Sequence, residues 1–127
     1  MNKEYIALFG FLGWAVKSIE FLHWSQSGIG SYARHQALGE LYDALQSKTD
    51  LLVETVQSYT GILELKMPAV EAPKAKNKGE ILSFLRSIRE QMNLYRKDLA
   101  KMPEIANLYE EMILAVSHSI YKIDNLS

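Results

Sequence analysis

The chain has no cysteine in its 127 residues. That excludes disulfides, thiolate metal sites and cysteine nucleophiles. Excess charge of either sign is also missing: fourteen basic residues stand against fifteen acidic ones, for a net charge of -1. No global attraction to nucleic acid or to an acidic membrane follows from that balance. Prolines number only three, and strand-like alternation is hard to find anywhere; a period of 3.6 residues dominates. The one long apolar run, Ile6 to Val16, has no basic stretch before it and no small-residue cleavage site after it. Lys17 and Glu20 follow too soon for a membrane span, so a cytoplasmic protein without a membrane partner is expected. Glycine-rich phosphate loops and nucleophile–base constellations are absent too.

What is present is the composition of a soluble globular protein, 48% hydrophobic and 23% charged, enough for a single domain over residues 1–127 with a sizeable core. The periodicity predicts four helices. The first runs from about Asn2, a plausible N-cap, to Ser25, on a stripe of Leu8, Phe11, Leu12, Ala15, Ile19 and Leu22. Turn chemistry in Ser25–Gly30 ends it. The second runs from near Ser31 to about Leu65, with Leu38, Leu41, Tyr42, Leu45, Leu52, Val56, Tyr59 and Leu63 facing inward. Lys66–Lys78 holds two prolines and reads as a connection. Asn77 followed by Glu80 has the form of a capping box. It opens a third helix that carries Ile81, Phe84, Leu85, Ile88, Met92, Tyr95 and Leu99. Pro103 suits the first turn of the fourth, which carries Ile105, Leu108, Met112, Val116, Ile120 and Ile123. Two short links and one long one describe an all-α, ferritin-like four-helix bundle with a long crossover.

Histidines and carboxylates are the chemical inventory. Glu20 and His23 make one Glu-x-x-His pair, and no other helix offers a second. Glu111 and His118 share a face without forming that motif, and His118 reads as a surface or packing residue. His23 and His35 flank the first turn, so antiparallel packing brings them to one end of the hairpin. Asp50 and Glu54 are four residues apart on one face of the second helix, an arrangement that can grip a cation. His35 and Asp50 lie 15 residues apart, about 22 Å along a helix, so one chain cannot close a site from all four. A two-fold dimer can, because antiparallel pairing sets the histidine end of one copy against the carboxylate end of the other. Two nitrogens and two carboxylates suit Fe(II) or Zn(II). Solvated carboxylates and packing histidines account for the same residues without a metal.

The stretch Phe21–Glu54, FLHWSQSGIGSYARHQALGELYDALQSKTDLLVE, resembles the signature region of the Dps family of miniferritins. His23-Trp24, a second histidine at 35, and Asp50 with Glu54 stand at that family's spacing. The resemblance implies iron as the metal, a ferroxidase centre shared between subunits, and a homo-oligomer that is a dimer or a twelve-subunit shell. This chain is shorter than usual and is similar to the reduced ferritin-like proteins of some phages. An acidic ligand expected four residues after the second histidine is replaced by Gly39; an aspartate there is expected to restore a ligand and speed Fe(II) oxidation. No lysine-rich N-terminal arm is present, so binding of duplex DNA is expected to be weak. Trp24 reads as packing or as a neighbour of the metal, and Lys74, Lys76 and Lys78 as a solvated basic loop.

Overall fold

A computed structural model describes residues 2–127, and among them there are five helices and no strand. They are α1 (Asn2–Trp24), α2 (Ser31–Thr60), α3 (Lys78–Leu94), α4 (Arg96–Leu99) and α5 (Pro103–Leu126). The expected stripes are the faces that meet. Leu8, Leu12, Ala15, Ile19 and Leu22 of α1 are buried, as are Leu38, Leu41, Leu45, Leu52 and Val56 of α2. With Ile81, Leu85, Ile88 and Met92 of α3 and Ile105, Met112, Val116 and Ile123 of α5 they form one continuous apolar core. By length and composition α1 could cross a bilayer, but half of its most apolar window is buried inside the bundle. Its apolarity serves the core.

Helix directions follow from named contacts. Ala37 accepts a hydrogen bond from Ser119, Lys122 pairs with Glu40, Lys48 with Glu111, and Tyr59 donates to Glu104. Rising numbers in α2 therefore meet falling numbers in α5. The same holds for α3 against α5, through Arg86–Asp124, Arg89–Ser117 and Tyr109 to the Met92 carbonyl. Because α2 runs antiparallel to α5, and α3 does too, α2 and α3 run the same way. The chain between them must travel the length of the molecule.

Three boundaries differ from the sequence expectation. Helix α2 stops at Thr60 rather than near Leu65, because Gly61 takes a φ of 84°, a left-handed value that breaks the helix at little cost for glycine. Leu63 is buried all the same, held in an extended strap that runs from Gly61 to Asn77. The third segment is broken at Tyr95 into α3 and α4. Asn2 is already helical rather than a cap. The capping box stands: Glu80 N–H donates to Asn77 Oδ1 at 2.9 Å and Asn77 N–H to Glu80 Oε1 at 3.3 Å.

The strap lies over the seam between α1 and α3. Trp14 Nε1–H donates to the Glu71 carbonyl at 3.2 Å, and its ring meets Phe84 edge-on at 5.8 Å. Gly10 admits the strap: a Cβ there would stand 2.5 Å from the Lys66 carbonyl oxygen.

Candidate metal centre

His23 lies in the last turn of α1 and His35 in the first turns of α2, brought together by the turn between them. Gly30 precedes α2 with a φ of 77°, and Arg34 ties the turn down from inside. Arg34 is only 5% exposed. Its guanidinium donates to Gln26 Oε1 at 2.9 Å, the Ile29 carbonyl at 3.0 Å and the Ser27 carbonyl at 3.2 Å. Sequence reasoning passed over this arginine, because nothing local distinguishes a buried cation from a solvated one.

The two imidazoles stack, with centroids 3.8 Å apart and planes 14° apart. Each reaches across to the other's backbone. His23 Nδ1 lies 2.6 Å from the His35 carbonyl oxygen, and His35 Nδ1 lies 2.6 Å from the His23 carbonyl oxygen. A carbonyl can only accept, so both Nδ1 atoms carry hydrogen when the rings are neutral, and both Nε2 atoms keep a free lone pair. The rings border a cavity of about 300 Å³ together with Glu20, Gly39, Tyr42 and Asp43.

Gly39 is there because the His23 ring is. A Cβ at position 39 would sit 2.7 Å from His23 Cε1 and 3.0 Å from Nδ1, well inside van der Waals contact. The expectation that an aspartate at 39 adds a ligand is therefore corrected: it would drive His23 away before it reached a metal. Glu20, which borders the cavity one turn before His23 on α1, receives a 2.7 Å bond from Lys17. That contact, with a further bond from the Tyr42 hydroxyl, holds its carboxyl below the usual carboxylate range.

Asp50 and Glu54 do not join the histidines within one chain. Both are exposed, toward the other end of α2. Asp50 borders a second cavity of about 570 Å³ between α1 and α2, whose walls share Tyr42 and Asp43 with the histidine cavity. The two adjoin along the α1–α2 furrow, the imidazoles bordering one and Asp50 the other. Among the described residues no three histidine, aspartate or glutamate side chains converge as a metal site. His118 is exposed on α5, as expected of a surface histidine. Trp24 is 64% exposed, stacks on Phe21 and borders the histidine cavity.

A model of a family of unknown function, DUF5856, matches residues 23–123. The chain belongs to that family. The match begins at His23 and spans His35, Gly39, Asp50 and Glu54. It corrects the likeness to Dps: the family found is neither Dps nor a ferritin. The short motif that suggested it has a separate physical basis here, since two histidines twelve residues apart are what a clasp across this turn requires. No curated protein and no solved structure matches the chain.

Proposed function

We propose that the protein binds iron, or zinc in its place, in a centre shared by two copies, with ferroxidase chemistry as its activity. His23 and His35 come from one copy, Asp50 and Glu54 from the other. The observation that carries this reading is the reciprocal pair of Nδ1–H···O=C bonds. Metal-binding histidines commonly donate their second nitrogen to a carbonyl or carboxylate, which fixes tautomer and ring orientation. Here both rings are held in that way with Nε2 left over. The scaffold supports this reading in so far as two helix pairs are joined by one long crossover with α2 and α3 parallel, as a ferritin-like bundle would require. The furrow supplies the geometry. An antiparallel second copy, with its two-fold axis midway between His35 and Asp50, sets imidazoles against carboxylates twice.

The lone pair of an imidazole lies in its ring plane, and these planes are 14° apart. The two lone pairs do not converge on one ion, so each ring takes its own. His23 and His35 would each hold one Fe(II) through Nε2, and iron held there would supply one-electron redox chemistry.

The test is Co(II) and Fe(II) titration of the double variant Asp50→Ala/Glu54→Ala, which changes only exposed side chains. Loss of binding is expected, and mixing this variant with His35→Ala should restore one site per mixed dimer. Unchanged binding in the double variant would confine the site to one chain and reject the shared centre. A second reading is favoured by the same hydrogen bonds: the histidines form a purely structural clasp on a bundle that interacts with other proteins. A wild-type chain that binds neither ion at micromolar concentration would decide for it.

A further inference from the structure

At the end of α1 two aromatic rings stand in water beside a basic part of the strap. Phe21 and Trp24 stack with centroids 5.9 Å apart and planes at 26°, and they are 45% and 64% exposed. The core beneath them is already filled by Leu22 and Ile19, so packing does not explain the rings. Contiguous exposed apolar surface is one mark of a binding site. Across from them lies strap 72–76, which brings Pro73, Lys74 and Lys76 to the far wall of a cavity of about 710 Å³. Ser25 and Ser27 border one end, and no carboxylate lines it.

We infer that this cavity binds a nucleotide, its base stacked on the Phe21–Trp24 pair and its phosphate held by Lys74 and Lys76. The site offers aromatic surface and two cations, and a nucleotide carries a flat ring and an anion. The cavity is of the size that takes small molecules, roughly 300–1,000 Å³. Stacking on an aromatic ring with lysines along the backbone is how proteins hold unpaired bases without regard to sequence. A sugar would use the indole but not the paired ammonium groups. An acidic peptide would use the lysines and leave the stacked rings idle. A duplex hides its base faces, so weak binding of duplex DNA is still expected. The ligand is a free nucleotide or an unpaired nucleotide within a single strand, and both present the same chemistry.

Isothermal titration in the presence of EDTA tests this apart from any metal. The probes are AMP, a short oligothymidylate, adenosine and inorganic phosphate. AMP is expected to bind saturably, more tightly than adenosine or phosphate. Trp24→Ala and the double variant Lys74→Ala/Lys76→Ala should each weaken binding about ten-fold or more. Both alter exposed side chains, and an unchanged far-UV spectrum verifies the fold. An oligothymidylate at least ten-fold tighter than AMP identifies a single strand as the source; equal or weaker binding identifies a free nucleotide. The inference is overturned if neither AMP nor the oligonucleotide binds, if phosphate alone binds as well as AMP, or if the folded variants bind like wild type.

Discussion

Replacing Gly39 by alanine should destabilise this protein, against the general rule for glycine inside a helix. Removing a helical glycine ordinarily gains roughly 1 kcal/mol. At position 39 the new methyl group would meet His23 Cε1 at 2.7 Å, about 1 Å closer than carbon atoms pack. The ring has nowhere easy to go. One side stacks on His35, and Nδ1 is bonded to the His35 carbonyl at 2.6 Å. Overpacking of this kind costs about 1–3 kcal/mol, and a lost hydrogen bond adds about 0.5–1.5 kcal/mol. Subtracting the helix gain leaves a net loss of roughly 0.5–3.5 kcal/mol.

Gly13→Ala is the matched control. Its Cβ would meet only the flexible Met67 Sδ at 3.4 Å, so the helix gain should survive. Thermal unfolding followed by circular dichroism reads the contrast, at roughly 3–6 °C per kcal/mol for a chain of this size. Gly39→Ala should melt below wild type and Gly13→Ala at or above it. If Gly39→Ala melts higher than wild type, the histidine clasp is not held as described. In that case the explanation of the glycine fails too.

Three further outcomes are expected. Arg34→Ala should lower stability by about 2–4 kcal/mol in urea unfolding, since it leaves three acceptors in the turn without their charged donor; a loss under 0.5 kcal/mol on that scale would mean water replaces the guanidinium freely. Asn77→Ala removes the capping box and should cost about 1 kcal/mol, with Asn77→Ser retaining most of it in the same assay. Burial raises the pKa of the Tyr109 phenol, whose hydroxyl donates to the Met92 carbonyl at 2.6 Å. A raised folded-state value means this tyrosine's contribution is whole below its unfolded pKa of about 10 and is lost as pH climbs above it. Tyr109→Phe should therefore extend the alkaline limit of folding, and an alkaline unfolding midpoint no higher than wild type would reject that assignment.

The helices were legible because amphipathic periodicity is local. The stripe of α1 and that of α5 can be read from residues within four positions of one another, and burial followed them closely. The capping box was legible for the same reason, since Asn77 and Glu80 satisfy each other's backbone within a single turn. So was the meeting of His23 with His35, because a short turn between antiparallel helices leaves them little choice.

Other features were beyond local reading. The end of α2 was misplaced because Leu63 keeps the helical rhythm although its backbone has left the helix; only the core decides that an extended strap can bury the same side chain. The break at Tyr95 was hidden in an unbroken apolar stripe. The distance along α2 separating His35 from Asp50 was plain, but the furrow joining them exists only because α1 lies alongside.

By itself, then, the sequence determined an all-helical chain, the faces its helices bury, and a histidine pair at one hairpin end. These depend on spacing along a single element. The tertiary structure decided which nitrogen of each histidine is engaged and why residue 39 is glycine. It also decided that Arg34 is buried and that Trp24 borders the same cavity as the lysines of the strap. Each of those depends on atoms far apart in the chain meeting within a few ångströms, and helical periodicity carries no information about such meetings.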